Sequence, residues 1–201
     1  MPVRKTVRRT RQTRKTNPSP YSDADYNSND GMLTAVWGPG MWHYLHTMSF
    51  NYPIRPTCEN KRQYREFMLN LQHVLPCGKC RKNLVKNYAR LPLKWCNLTS
   101  RATFSKYVYD LHELVNRMLN KQSGLTYEMV RERYEHFRAR CAIPVPNAPV
   151  PSEKGCTEPL YGEKSKCLLK IVPDHVKCNT LEIDRKCIKR RLTARKRIPK
   201  S

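Results

Sequence analysis

The stretch WGPGMWHYLHTMSFNYP, residues 37–53, decides the fold. Four of its side chains recur at the i, i+3, i+4 and i+7 positions of one helix face: Trp42, Leu45, His46 and Ser49. The Gly-Pro-Gly run at 38–40 predicts the start of this helix, and Pro53 predicts its end. The face is unusual because it combines an indole and an imidazole with apolar residues.

Apolar residues at three- and four-residue spacings predict four further helices downstream of this stretch. They cover residues 60–75, the segment from Cys77 to about Arg90, residues 100–121 and residues 126–140. The run TSRATF offers a capping residue for the helix over residues 100–121, which is the fourth in the chain, and Gly124 predicts the end of that helix. The sequence therefore predicts a helical domain over residues 31–141.

The charge is concentrated at the two ends of the chain. The net charge is +23, and residues 1–20 and 185–201 hold seven and nine basic residues with no acid, so only +7 remains between them. Such arms are typical of segments that contact nucleic acid or an acidic partner, although solvated ends are the plainer interpretation. An Arg-rich, acid-free N-terminus is also compatible with a mitochondrial transit peptide. No apolar run approaches the roughly 20 residues of a membrane span, and no secretory signal is expected.

Composition divides the rest of the chain. Residues 1–30 are predicted to be a basic and polar arm, residues 142–155 a proline-rich linker, and residues 156–201 a small cysteine-containing appendage with a basic tail. Within the appendage, KCLLKIVP and CNTLEIDRKC alternate enough to predict a strand pair.

Nine cysteines include one C-x-x-C pair, Cys77 and Cys80, in the run PCGKC. Half of a zinc site would need a second Cys/His pair, and none is close at a suitable spacing. A thioredoxin motif would follow a strand, whereas the run before Pro76 has helical periodicity. A redox dithiol between two helices is the third interpretation, and a cysteine at a helix N-terminus has a lowered pKa. Spacing alone leaves redox and metal chemistry open.

The fourth predicted helix adds polar side chains to the indole and imidazole of the first. His112 and Asn116 are one turn apart, and Lys121 follows. Each residue taken singly fits a structural role. Together they predict a cleft in which rings hold a planar nucleotide cofactor and the lysine meets its phosphate.

The linked motifs resemble those of the Erv/ALR family of FAD-linked sulfhydryl oxidases. They are Gly38, WHYLHTMSFNYP, PCGKC and HELVNRMLNK, in the family's order over residues 37–137, and large-DNA-virus members are the most similar. The resemblance implies an all-α fold, a four-helix bundle plus a short fifth helix, with FAD as cofactor. It implies eight cofactor-binding residues: Gly38, Trp42, His46, Tyr52, His112, Asn116, Lys121 and Tyr134.

The resemblance also implies the reaction. Protein thiol substrates would exchange with the Cys77–Cys80 disulfide at Cys77, the electrons would pass through the flavin, and O2 would be reduced to hydrogen peroxide. It implies no metal, and it implies a homodimer formed through the first two helices. A host-cell cytoplasm or virion location follows for a viral member, with the mitochondrial intermembrane space as an alternative.

The sequence departs from the family pattern at three places. The family's His-Asn doublet is His112–Glu113 here, and Tyr134 stands one position out of register with a family tryptophan. The two cysteines of the family's structural disulfide are replaced together by Tyr109 and Thr126. Other packing must therefore hold the fifth helix, because a bridge stabilises by roughly 2–4 kcal/mol.

The remaining cysteines leave alternatives open. An electron-relaying pair in the tail, two structural disulfides and a zinc site with His175 all have candidates among Cys141, Cys156, Cys167, Cys178 and Cys187. Structural disulfides are favoured because so small a module needs cross-links. Cys58 and Cys96 are expected to be structural or free. An alternative function for the whole chain is a non-catalytic structural or nucleic-acid-associated virion protein on the same fold.

Overall fold

A computed structural model of the chain describes residues 20–28, 30–140, 158–173, 175–179 and 181–188. Backbone contacts divide it into two units, residues 1–30 and 31–201. The first unit contains one short helix, α1 (Asp23–Tyr26), which is capped by the side chain of Ser22. The predicted linker at 142–155 and the cysteines Cys141 and Cys156 lie outside the described residues.

Four long helices and one shorter helix form the helical part of the second unit. They are α2 (Thr34–Phe50), α3 (Cys58–Val74), α4 (Gly78–Arg90), α5 (Arg101–Met118) and α6 (Tyr127–Glu135). A 3₁₀ turn, η1 (Trp95–Leu98), joins α4 to α5, and a second, η2 (Arg185–Cys187), lies near the end of the described residues. The predicted four-helix bundle with a short fifth helix is confirmed.

Side-chain caps explain where three of these helices begin. Thr57, Ser100 and Thr126 each accept a hydrogen bond from a backbone N–H in the first turn of α3, α5 and α6. These bonds satisfy amides that have no partner inside a helix. The cap predicted from TSRATF is therefore Ser100.

The start of α2 differs from the prediction. The helix begins at Thr34, so the run at 38–40 lies inside it and Pro39 occupies its second turn. Gly-Pro-Gly predicts a break because proline lacks an amide hydrogen and glycine is a poor helix former. Here the preceding turn is already helical, and the additional turn of α2 carries Thr34 to the cysteine pair.

The core lies between α2, α3, α4 and α5. Its fully enclosed side chains include Tyr52, Met68, Leu98, Phe104 and Val108. Buried tyrosine hydroxyls are satisfied by backbone carbonyls, as Tyr107 donates to Leu91 at 3.0 Å and Tyr88 donates to Met68. A smaller cluster formed by Phe50, Val130 and Tyr134 packs α6 onto α2.

The strand pair predicted in the appendage is wrong. Residues 164–173, 175–179 and 181–184 contain no helix or strand. The two strands that the structure does describe, β1 (Ala139–Arg140) and β2 (Glu158–Pro159), pair antiparallel and connect the end of the helical part to the appendage. Alternation over a few residues failed as a strand signal because, within the part of the chain that the structure describes, neither segment pairs with another strand.

The appendage cysteines that the structure describes are not cross-linked. Cys167, Cys178 and Cys187 are free, so the structural disulfides favoured by the sequence are not formed among these three. Cys58 and Cys96 in the helical part are free and exposed, which is one of the two states expected for them.

Candidate active site

Cys77 and Cys80 form a disulfide at the N-terminus of α4. Their Cα atoms are 5.2 Å apart. Cys77 is the N-cap of α4, and its sulfur accepts a hydrogen bond from the Cys80 backbone N–H at 3.2 Å. The pair therefore lies where helix amides and the positive end of the helix dipole stabilise a thiolate.

The first turn of α2 lies against this disulfide. The Met32 backbone N–H donates to the Pro76 carbonyl at 2.8 Å, and the Thr34 hydroxyl donates to Cys80 Sγ at 3.6 Å. A disulfide sulfur carries no hydrogen, so the hydroxyl is the donor. The contact places Cys80 on the α2 side of the disulfide.

Two turns further along α2, aromatic and imidazole rings form a continuous cluster. The indole of Trp42 stacks on the imidazole of His112 with centroids 3.9 Å apart and an interplanar angle of 5°. His46 Nε2 and His112 Nδ1 are 2.9 Å apart and share a hydrogen bond. The structure does not hold Trp42 and His112 apart, so a ring bound between them would require these two faces to separate.

Both imidazoles of the pair are neutral at neutral pH. Burial is the largest cause that lowers the pKa of His46 to about 3, and electrostatic repulsion from His112, His43 and Arg133 contributes to this shift. Burial likewise lowers the pKa of His112 to about 4, although Glu113 acts in the opposite direction. One nitrogen of the 2.9 Å pair therefore donates a proton while the other accepts it.

Helix α6 closes the cluster from the other side. The Tyr134 ring stacks on His46 at 5.2 Å and on Phe50 at 5.5 Å. Its hydroxyl is 3.3 Å from His43 Nδ1, and burial raises the pKa of this phenol to about 12. Tyr134 therefore contacts the predicted site, together with His43, which the sequence had not indicated.

One face of α2 connects the disulfide to the ring cluster. Thr34, Gly38, Trp42 and His46 follow one another at four-residue intervals, which places them on one gradually winding face of the helix. Thr34 and Trp42 are separated by about 12 Å along the helix axis. This face depends on the early start of α2.

Two observations on this face fit a nucleotide cofactor. His46 Nδ1 is buried and has no hydrogen-bond partner within the described residues, although His46 is only 4% exposed. A buried polar atom of this kind is normally satisfied. Gly38 is also buried, and a Cβ there would meet only Thr34 Cγ2, at 3.4 Å. The unpartnered imidazole nitrogen and the small Gly38 are compatible with an FAD contact on this face.

The other predicted contacts are placed less directly. Tyr52 is fully buried, packs on Tyr64 and Phe104, and donates its hydroxyl to the Leu98 carbonyl at 2.9 Å. This is the environment of a core residue that positions α2 against η1 and α5. A cofactor contact from Tyr52 stays a prediction.

The end of α5 carries the two remaining predicted residues. Asn116 Nδ2 donates a hydrogen bond to Glu113 Oε1 at 3.0 Å. The glutamate that departs from the family pattern therefore binds the side-chain amide of Asn116. Lys121 is exposed and follows Asn120, whose φ of 54° ends the helix. The ammonium of Lys121 is thereby available to a phosphate at the end of α5.

The Tyr109 and Thr126 positions show what replaces the family's bridge. The Tyr109 hydroxyl donates to the Leu125 carbonyl at 2.7 Å, and its ring packs edge-on against Tyr127 at 5.8 Å. The Tyr127 hydroxyl is 2.9 Å from Ser105 Oγ. We call Tyr109, Ser105, Leu125 and Tyr127 the tyrosine clamp. It joins α6 to α5 without a covalent bond.

Comparison with known proteins identifies relatives of this chain. The sequence model of the Erv1 / Alr family matches residues 39–135. A protein described as a probable FAD-linked sulfhydryl oxidase from Acanthamoeba polyphaga mimivirus is 38% identical over 104 residues, which cover 52% of this chain and 72% of that protein. A FAD-linked sulfhydryl oxidase of African swine fever virus is 29% identical over 43% of this chain and 70% of its own length.

Cellular relatives match over a smaller part of their length. The FAD-linked sulfhydryl oxidase ERV1 of Arabidopsis thaliana is 31% identical over 84 residues, which are 42% of either chain. The solved FAD binding domain of Erv1 from Saccharomyces cerevisiae is 24% identical with a TM-score of 0.47, over 51% of this chain and 94% of that one. The identity to the mimivirus protein and the match over residues 39–135 show that this chain belongs to the Erv1/Alr family.

Proposed function

We propose that this chain is an FAD-dependent thiol oxidase that forms disulfide bonds in protein substrates. The observation that carries the proposal is the disulfide at the N-terminus of α4, in contact with the helix whose face leads to the ring cluster. Its relatives are named as FAD-linked sulfhydryl oxidases. A non-catalytic role on the same fold would require neither the intact disulfide nor the Thr34 contact.

The exchange with substrate moves two electrons and two protons. A substrate thiolate attacks Cys77 Sγ, a mixed disulfide forms, and the Cys77–Cys80 bond breaks with Cys80 leaving as a thiolate. A second substrate thiolate then attacks the substrate sulfur of the mixed disulfide, so the substrate disulfide forms and Cys77 leaves. The substrate is oxidised, and the two protons of its thiols pass through solvent to the Cys77 and Cys80 thiolates, so the pair is reduced to a dithiol.

The surroundings of the pair favour this exchange. The Thr34 hydroxyl lies 3.6 Å from Cys80 Sγ and donates to the thiolate that leaves in the first step. The amide that donates to Cys77 Sγ at 3.2 Å stabilises the thiolate that leaves in the second. No acidic residue lies in the first turn of α4, so nothing there opposes either charge.

Residues on α2 and α5 would hold the cofactor. We assign ring contacts to Trp42, His46 and His112, close approach at Gly38, and a phosphate contact to Lys121. Tyr134 supports His46 from α6, while Asn116 and Tyr52 position the elements around the site. When bound, FAD would supply the two-electron redox chemistry that links the reduced dithiol to O2 and gives hydrogen peroxide.

We further propose a homodimer through α2 and α3. Tyr44 on α2 is 52% exposed and packs edge-on at 6.1 Å against Phe67 on α3, which is 37% exposed. An exposed aromatic pair on two neighbouring helices is typical of an interface.

No helix among the described residues is long and apolar enough to cross a membrane. The viral relatives support a location in the host cytoplasm or the virion, where the basic arms would contact nucleic acid or acidic components.

The test combines a spectrum with turnover. Purified protein should absorb at about 450 nm, as flavoproteins do, and should consume oxygen when dithiothreitol is added. Cys80→Ser should keep the absorption and lose oxygen consumption, whereas Cys96→Ser, at an exposed free cysteine of η1, should keep both. A colourless protein, or turnover that survives Cys80→Ser, would contradict the proposal.

A further inference from the structure

The disulfide lies within the longest acid-free part of the chain. Between Glu66 and Asp110 the sequence contains no aspartate or glutamate. This stretch nevertheless contains eight basic residues: Lys79, Arg81, Lys82, Lys86, Arg90, Lys94, Arg101 and Lys106. The net charge of +23 is therefore not confined to the two arms, because the immediate surroundings of the active cysteines are cationic too.

Four of these residues form one exposed face of α4. They are Lys79, Lys82, Lys86 and Arg90, and we call them the α4 basic stripe. Their spacing of three, four and four residues keeps them on one side of the helix, while Leu84 and Tyr88 are buried on another. Within the described part of the chain, no member of the stripe takes part in an ion pair. A cationic face without internal partners is available to an anionic ligand.

The stripe begins at the disulfide itself. Lys79 lies between Cys77 and Cys80, and Arg90 ends the helix. The stripe therefore extends about 16 Å from the reactive sulfurs. A ligand lying along the stripe would have one end at the disulfide. Binding of its charges to the stripe would therefore determine where a thiol of the ligand lies.

We propose that the α4 basic stripe selects the thiol substrate, and that this substrate is an acidic polypeptide segment next to the reacting cysteine. The inference rests on the proposed oxidase function and specifies its substrate class. An extended chain rises about 3.3 Å per residue, so acidic residues within about five positions of the cysteine reach the whole stripe. Nucleic acid is the weaker candidate because it carries no thiol and would cover the disulfide without reacting.

The stripe acts on the encounter and on the orientation of the substrate. Complementary charges raise the rate of productive encounters and fix the direction in which a chain lies. The exchange reaction is unchanged: the substrate dithiol loses two electrons to the Cys77–Cys80 disulfide. Salt must weaken the preference, since exposed charges are screened within about 10 Å at 0.1 M ionic strength.

The test measures one round of exchange without oxygen. Full-length protein with its cofactor is mixed with dithiol peptides of equal length whose residues beside the cysteines are either glutamate or glutamine. The peptide disulfide formed is followed by chromatography. We expect the glutamate peptide to react about tenfold faster at low ionic strength, and the ratio to approach one at high salt.

Two matched variants separate the stripe from the overall charge. Lys82→Glu with Lys86→Glu should reduce the tenfold preference to near one while leaving exchange with dithiothreitol unchanged, which shows that the site is intact. Arg55→Glu with Arg131→Glu changes the net charge equally at exposed positions on other elements, and should keep the preference. Equal rates for both peptides in the unaltered protein, or a preference that survives the stripe variant, would overturn the inference.

Two further outcomes are informative. If a single-stranded oligonucleotide blocks exchange through Lys82 and Lys86 while the peptides react equally, the stripe is a nucleic-acid surface and the inference is wrong. If exchange shows the expected preference but no oxygen is consumed aerobically, the proposed oxidase function fails while the substrate class stands. A disulfide that neither peptide reduces would overturn both.

Discussion

Among the described residues, the side chain of Thr34 makes a hydrogen bond from α2 to the disulfide. Its hydroxyl donates to Cys80 Sγ at 3.6 Å, and a thiolate accepts such a bond more strongly than a disulfide sulfur does. Thr34→Val preserves the shape and removes the donor. We expect disulfide reduction by dithiothreitol to slow about tenfold, because the leaving Cys80 thiolate loses a hydrogen bond. Stopped-flow measurement across pH checks this.

The matched control is Thr34→Ser, which retains the hydroxyl at the same position. This variant should restore most of the exchange rate. If the γ-methyl group of Thr34 acted only through packing, the serine variant would exchange as slowly as the valine variant. That second pattern would show that packing against the disulfide, rather than hydrogen bonding, is the function of Thr34.

The His46–His112 pair makes stability depend on pH in a defined direction. The folded pKa values are about 3 and about 4, whereas an unfolded histidine titrates at about 6.5. Below pH 6.5 the unfolded chain binds protons that the folded chain does not bind. The full free energy of unfolding is therefore present above this pH, and it decreases as the pH is lowered. The decrease should be about 1–2 kcal/mol per histidine at pH 5.

Urea unfolding at pH 7 and pH 5 measures this decrease. His112→Gln keeps a polar side chain that does not titrate, so the difference between the two pH values should shrink by about half. An unchanged difference in this variant would mean that other groups cause the acid sensitivity.

At the scale of elements, the tyrosine clamp determines how α6 is held. The Tyr109 hydroxyl bonds the Leu125 carbonyl at 2.7 Å immediately before α6 begins. Tyr109→Phe should lower the free energy of unfolding by about 1 kcal/mol and Tm by about 2–4 °C. Met129→Leu, at a 50% exposed side chain of α6, should change neither.

Reducing agent provides a second check on the clamp. Because this joint holds no disulfide, dithiothreitol should not loosen α6 in the unaltered protein. A Tyr109→Phe protein as stable as the unaltered chain would show that ring packing alone, without the hydroxyl, holds α5 to α6.

The sequence predicted elements well where periodicity and caps agreed. Helices α3 to α5 appeared at the predicted places because apolar spacing and capping residues indicated similar boundaries, whereas the predicted end of α6 at residue 140 is wrong, since α6 ends at Glu135 and Ala139–Arg140 form β1. The start of α2 was missed because the Gly-Pro-Gly run at 38–40 outweighed the weaker helical signal of residues 34–37. The predicted strands at the appendage failed because strand pairing depends on a partner surface that local alternation cannot reveal.

The candidate site was predictable in its residues and not in its contacts. Motif spacing identified Trp42, His46 and His112, but only tertiary packing shows that two of these rings touch at 3.9 Å. Thr34 and His43 carry no motif signal, since a threonine at a helix start and a histidine beside a tryptophan are common. Their roles arise from contacts across 46 and 91 positions of sequence.

At the scale of the whole molecule, two strongly basic ends flank the part of the chain that contains the disulfide. Residues 1–20 and 185–201 hold 16 of the basic residues without an acid, while the helices and the disulfide lie between them. The two parts should therefore be separable by truncation. A chain of residues 20–188 removes most of the terminal charge and keeps every residue assigned to the active site.

We expect this truncated chain to oxidise dithiothreitol at the rate of the full chain, and to bind nucleic acid far more weakly. The physical reason is counterion release: the salt slope of log Kobs decreases by about 0.9 for each phosphate that the protein no longer neutralises. With fourteen basic residues removed, the slope measured with a duplex of random sequence should fall by several units. Substituting the same fourteen residues by glutamine in the full chain should have the same effect, because the effect depends on charge rather than on chain length. A truncated chain with an unchanged slope would place nucleic-acid binding on the helical centre, with the α4 basic stripe as the surface to test next.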